Sequence, residues 1–165
     1  MKQQRVLLAT GSPNFNDFNA INDAIESFVF RCKDLDAQPV VVTSNNRGAD
    51  TGIDMACALH GVPCNQIFVK PDPLSDELLG ETPWHGRQIR RASYMVYDCT
   101  PDEAIIFDVE RDDTTRYDPN AHQAFINAIL AETDIEVHHV VNDPTMDGNT
   151  RSIRCGTAEP RLSDD

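Results

Sequence analysis

The sequence predicts an α/β protein: a Rossmann-like three-layer sandwich around a mainly parallel sheet of about five strands. Three observations lead there. Short apolar runs alternate along the chain with stretches whose apolar residues recur at helical spacing. The runs are apolar at consecutive positions, as in strands covered on both faces. The connections between them are too long for hairpins, so successive strands pair in parallel through crossovers.

The elements follow in order. Arg5-Val-Leu-Leu-Ala9 is a buried strand that stops at Thr10-Gly11-Ser12-Pro13. Phe18, Ile21, Ile25, Phe28 and Val29 mark a helix from Asp17 to about Cys32, with Asn16 or Asp17 placed to cap it. Pro39-Val-Val-Val-Thr43 is the second strand. It leads through Ser44-Asn45-Asn46-Arg47-Gly48-Ala49-Asp50 into a helix carrying Ile53, Ala56, Cys57 and His60 on one side. Gly61-Val62-Pro63 ends that helix in the Gly-then-Pro order of a helix stop. Asn65 to Val69 reads as the third strand, Pro71 to Pro83 as an acidic, proline-bearing loop, and about Gly86 to Tyr97 as a helix.

Glu103 to Asp108 is the fourth strand. After the polar stretch Val109 to Tyr117, Asp118-Pro119 supplies an N-cap and an N1 proline. Ala121, Ala124, Phe125, Ala128 and Ile129 then stripe the next helix, and Glu136 to Val141 is the fifth strand. From Asn142 onward the chain is polar and aperiodic. The predicted organisation is one domain over residues 1–141 and a flexible tail over 142–165.

Charge narrows the function classes. Of 165 residues, 14 are Lys or Arg and 27 are Asp or Glu, a formal net charge of −13. Non-specific grip on nucleic acid neutralises phosphates with Lys and Arg, so no polymeric nucleic acid is expected as a partner. An anionic membrane surface is disfavoured for the same reason. No apolar run reaches eighteen residues, and Val6 to Ala9 is too short for the apolar core of a signal peptide. Five cysteines without a C-x-x-C pair point to reduced thiols in a cytoplasm rather than to a disulfide framework or a zinc site. Homo-oligomers are common among such proteins, but the sequence names no interface.

In doubly wound sheets ligands sit at the carboxyl ends of the strands, and three segments there carry chemistry. After the first strand, Thr10, Gly11 and Ser12 precede a helix; the glycine lets a ligand approach the backbone, and the hydroxyls can donate to phosphate. After the second, Arg47, Gly48 and Asp50 repeat the arrangement with a cation, Asp50 being either an N-cap or an acceptor for a sugar hydroxyl. The third is Trp84-His85-Gly86-Arg87-Gln88-Ile89-Arg90-Arg91, three arginines within five residues behind a tryptophan able to stack on a base. Each has a plainer reading: an ordinary turn, a cap, a solvated charged helix. Neither glycine loop matches the dinucleotide fingerprint or the P-loop. His138 and His139 face opposite ways on a strand, His122 lacks a partner at i+4, and His60, His85 and the pair Asp112-Asp113 stand without a ligand set, so no metal site is expected. No catalytic set is assigned.

Thr10-Gly11-Ser12 with Phe15 and Asp17, then Arg47-Gly48-Ala49-Asp50 through Gly61-Val62-Pro63, then Ile89-Arg90-Arg91-Ala92-Ser93-Tyr94-Met95 and a strand, together resemble the SLOG superfamily. The likeness is to its YspA/YpsA-type branch of bacteria and phages, relatives of the DprA and LOG proteins. It covers residues 5 to about 108, most specifically Arg47 to Pro63. It implies a Rossmann-like sheet that binds nucleotides or nucleotide-derived ligands at these loops. LOG members also cleave the N-glycosidic bond of nucleoside monophosphates. This chain departs from the pattern at Pro13, where relatives carry arginine, and at Arg90-Arg91-Ala92, where they carry an Arg-Asn pair. It departs again from Asp108 to Pro119, where a glycine-rich phosphate loop is absent. The last departure argues against the hydrolase.

The expected function is therefore binding of a small nucleotide-type ligand, with no required cofactor, by Thr10, Gly11, Ser12, Arg47, Gly48, Asp50, Arg90 and Arg91. The alternatives are a nucleotide hydrolase, an interaction protein with a degenerate site, and a DprA-like grip on single strands, which the charge disfavours.

Overall fold

The apolar runs form strands β1 (Gln4–Gly11), β2 (Gln38–Ser44), β3 (Cys64–Ile67), β4 (Glu103–Val109) and β5 (Glu136–Asp143), paired in parallel in the order β3-β2-β1-β4-β5. A sixth strand, β6 (Asn149–Cys155), runs antiparallel along β5. The computed structural model describes residues 2–80, 82–109, 126–127, 129–143 and 149–155. The strand order reverses between β1 and β4, which defines the switch point of a Rossmann-like sandwich.

Consecutive apolar residues in the strands feed two cores. Leu7 and Ala9 of β1, with Val41, Ile105, Phe107 and Val140, face helices α1 (Phe18–Asp34) and α2 (Ala49–His60). Leu8, Val42, Ala104, Ile106 and Val137 face the opposite layer, made of Ala92, Met95, Val96, Ile126 and Leu130. Helix α1 begins where the Asp17 side chain accepts from the Ala20 N–H at 3.1 Å, and it buries Ile21, Ile25, Phe28 and Cys32, one apolar stripe. Helix α2 ends at Gly61, left-handed at φ 66°, with the Val62 N–H closing on the Cys57 carbonyl at 2.9 Å.

Two readings of the sequence are corrected. The stretch from Pro71 to Pro83 contains a short helix, α3 (Pro73–Leu79), rather than loop alone. What makes it a helix is tertiary: Asp76, 1% exposed, accepts from Arg90 Nε at 3.0 Å and from the Asp72 N–H at 3.0 Å, with Arg87 Nε 3.7 Å away. Burial opposes the charge on Asp76, yet the Arg90 hydrogen bond, the Asp72 N–H and both guanidinium charges hold its carboxyl below the ordinary range. Helix α4 (Pro83–Ser93) then starts before Gly86, capped by Thr82, whose hydroxyl accepts from the His85 N–H at 3.2 Å. It runs into a π-helical turn over Tyr94–Asp98. The second correction concerns the tail: residues Asn149–Cys155 form β6, ordered by the backbone ladder to β5, which no side-chain period announces. Residues 144–148 and 156–165 of the predicted tail lie outside the described residues, as does most of the helix expected after Pro119. Within that helix Ile126, Asn127, Ile129 and Leu130 are helical. No helix among the described residues is long and apolar enough to cross a membrane.

Two glycines separate steric from conformational demand. A Cβ at Gly86 would overlap the Asp76 carbonyl, so this glycine lets α3 and α4 touch, whereas Gly61 has open space around it and only its positive φ to satisfy. Gly86→Ala should cost about 1–3 kcal/mol by forcing the helices apart and Gly61→Ala about 1–2 kcal/mol through its backbone, read from urea unfolding. Limited proteolysis should find α3 loosened only in the first variant.

His139, 2% exposed on β5, carries a buried Nδ1 without a hydrogen-bond partner. Burial depresses its pKa below 6.5, against the pull of Asp108 and with a smaller push from His138. The unfolded chain therefore takes up a proton at a higher pH than the folded one. Stability from this residue is full above pH about 6.5 and is lost as pH falls through and below it. The variant His139→Leu should flatten the slope of unfolding free energy between pH about 7 and 5; an unchanged slope would refute the assignment.

Candidate functional site

The candidate site lies at the carboxyl ends of β1 and β2. Parallel register sets Leu8 beside Val42, so two residues further on Thr10 and Ser44 stand side by side, their hydroxyls 3.5 Å apart. Asp50, in the first turn of α2, reaches back between them. Its Oδ1 accepts from the Thr10 hydroxyl at 2.7 Å, and its Oδ2 accepts from the Ser44 hydroxyl and from the Asn46 N–H at 3.1 Å. The carboxyl is 1% exposed. Burial pushes its pKa up, while those three donors and the Arg91 charge pull against the rise.

The two loops are also clasped by backbone. Ala49 donates to the Ser12 carbonyl at 3.1 Å, Ser12 donates to the Phe107 carbonyl at 2.8 Å, and the Ser12 hydroxyl accepts from the Asn14 N–H at 3.0 Å. A Cβ on Gly48, left-handed at φ 75°, would overlap the Pro13 backbone; one on Gly11 would overlap the Phe107 carbonyl. The glycines were expected to admit a ligand to the backbone. In the structure the chain itself occupies that space, so their first task is loop closure.

Arg91 enters from α4. It is 5% exposed; Nη1 donates to Asn45 Oδ1 at 2.7 Å and Nη2 to Asn46 Oδ1 at 3.2 Å and to Gln88 Oε1. Among the described residues no carboxylate lies within ion-pair distance of it, and its buried Nε has no hydrogen-bond partner. Burial lowers its pKa, partly offset by the field of Asp50. Arg47 is exposed, with no partner among the described residues.

The structure thus brings Thr10, Gly11, Ser12, Gly48, Asp50 and Arg91 together, and leaves Arg47 exposed next to Gly48 in the chain. Arg90 does not join them. It donates to Asp76 and to the Lys70 carbonyl, on the α3 side of its helix. Four contributors are not among the residues expected to form the site: Ser44, Asn45, Asn46 and Gln88. Their signal was a polar run directly after a buried strand, and a glutamine three residues before an arginine. Among the described residues no group of three His, Cys, Asp or Glu side chains is placed to hold a metal. The Asp112-Asp113 pair and His122 lie outside the described residues.

Thr10→Val withdraws one donor from a buried carboxylate and should cost about 1–3 kcal/mol at neutral pH. The loss should shrink as pH falls and Asp50 takes up its proton, because the hydroxyl chiefly solvates the charged form. Urea unfolding of both proteins across the acid range measures it, and a loss independent of pH would contradict this. No family model and no curated protein matches the chain.

Proposed function

We propose that the chain binds a small nucleotide-type anion at the edge formed by the β1 and β2 loops and α4, without turning it over. One observation carries the reading: a buried guanidinium, Arg91, has hydrogen-bond acceptors but, among the described residues, no carboxylate in contact, and its Nε has no hydrogen-bond partner. A buried cation held only by neutral groups is costly, and an arriving anion offsets that cost. Arg47, exposed and next in sequence to Asn46, which Arg91 holds, would supply a second fork for phosphate. In a protein of net charge −13, a cation without a carboxylate partner among the described residues is a local exception that would favour an anion. The likeness to the SLOG superfamily at Arg47 to Pro63 supports a nucleotide as that anion.

Binding is favoured over hydrolysis because Asp50, the one carboxyl in the cluster among the described residues, is already engaged by three donors. A carboxylate so occupied positions loops; it is not presented as a free base. A second reading has its own observation: the space beside Gly11 and Gly48 is filled by Phe107 and Pro13, as in an interaction protein that kept the fold and lost the ligand.

Thermal unfolding with nucleoside mono-, di- and triphosphates and NAD separates these readings. Ligand at about 100 times its Kd should add about 2.7 kcal/mol, and Arg47→Ala should remove most of that without changing the unliganded Tm. Trp84, the chain's one tryptophan, is 45% exposed and shares a face of α4 with Gln88 and Arg91 by its spacing, so its fluorescence gives an independent titration. Unchanged melting and fluorescence across the panel would favour the interaction protein. Release of free base at turnover rates would favour an N-glycosidase.

A further inference from the structure

Helix α3 is built inside out. Its one buried side chain is an acid, Asp76, which accepts from Arg90 Nε at 3.0 Å and has Arg87 Nε 3.7 Å away. Its leucines are in solvent: Leu74 is 78% exposed, Leu78 87% and Leu79 48%. At about 100° per residue, Leu74 and Leu78 share one side of the helix and Asp76 lies on the other. A surface helix ordinarily turns its apolar stripe to the core, and this one turns it outward. Close backbone packing fixes that orientation. A Cβ on Gly86 would overlap the Asp76 carbonyl, and one on Gly80 would overlap the Gly86 nitrogen. Rolling the leucines inward would also part Asp76 from both arginines.

Charge sets this hairpin apart from the rest of the chain. Lys70 to Arg91 holds four cations (Lys70, Arg87, Arg90, Arg91) and four acids (Asp72, Asp76, Glu77, Glu81), a net charge of zero in a chain of −13. The whole excess of negative charge therefore lies elsewhere. Two copies of the chain repel each other through those other surfaces, and the hairpin is where they can meet without that penalty. A strongly basic partner, by contrast, is drawn to the acidic remainder.

We propose that α3 is a homodimer contact, in which Leu74, Leu78 and Leu79 of two copies pack together across a two-fold axis.

A two-fold contact sets one patch against its own image, so the patch must complement itself. Leucines do this at the centre. At the rim, Lys70, Asp72 and Glu77 are all exposed, and a rim carrying both signs can pair with its image where a rim of one sign would repel it. Size agrees as well. At the exposures given, the three leucines present apolar surface on the order of 300 Å² per copy, the extent at which a patch marks an interaction site. Just over half of an interface is apolar, so two such patches with their rims cover about 1,000 Å², the area a specific contact has to reach. The dimer uses neither Arg47 nor Arg91, so it stands or falls apart from anion binding.

Sedimentation equilibrium of the full chain, without nucleotide and over roughly 1–500 μM, tests it. The mass is expected to rise toward twice that of the chain. Leu78→Glu puts a carboxylate into the contact and should weaken association by roughly tenfold or more, and Leu74→Lys should do the same. Both should keep the parent's far-UV circular dichroism and Tm, because these side chains are already in solvent in the single chain. Leu59→Glu, at a 70% exposed position of α2, should associate as the parent does. Added salt should tighten the dimer, since it screens the repulsion between the acidic bodies and leaves the apolar contact in place. A parent that stays monomeric throughout would overturn the proposal and assign the face to a different protein. A dimer that survives both leucine substitutions, or that weakens as salt is raised, would overturn it too.

Discussion

One buried carboxyl organises the edge of the sheet where β1 and β2 end. Asp50 belongs to α2, yet its hydrogen bonds run to the ends of β1 and β2 and to the backbone between β2 and α2. Without it, two strand-to-helix turns would meet at a polar, water-excluded junction with nothing to satisfy their hydroxyls. Burying a carboxyl is unfavourable unless donors surround it, and here the donors come from residues that must themselves be placed. The clasp and the loop geometry therefore require one another. Arg91 adds a cation whose field reaches Asp50 without a direct contact, leaving its unpaired Nε as the open valency of the cluster.

The glycines at this edge show how a motif can be correct in place and different in purpose. Gly11 and Gly48 sit where a ligand-binding loop would put them, but the backbone of Phe107 and Pro13 fills the volume a side chain would need. Close approach of chain to chain, rather than of chain to ligand, is the demand that glycine meets there.

Much of this was legible in the sequence, for physical reasons. Runs such as Val40-Val41-Val42 and Ile105-Ile106-Phe107 are buried on both faces, so they read as parallel strands without knowledge of their partners. The stripe Ile21, Ile25, Phe28 and Cys32 is a local periodic signal of the same kind. What escaped was non-local. Helix α3 depends on Asp76 meeting Arg90, fourteen positions on, and β6 on a ladder to β5 that backbone groups make whatever the side chains are. In the site, Thr10, Asp50 and Arg91 announced themselves by type and position. Ser44 and Gln88 did not, because a hydroxyl or an amide acquires meaning only from the charged group it faces. Arg90 and Arg91 are adjacent and chemically alike, and the sequence alone offered no way to separate the one bound to α3 from the one in the site.

That separation sets the roll of α4 about its own axis. Neighbouring residues on an α-helix point about 100° apart, and these two guanidinium groups are anchored on different bodies: Arg90 on Asp76 and Lys70, Arg91 on Asn45 and Asn46. Turning the helix to relax one anchor strains the other, so its angular setting is braced from both flanks, like a mast between opposed stays. The helix thus ties the β2 turn on one flank to α3 on the other.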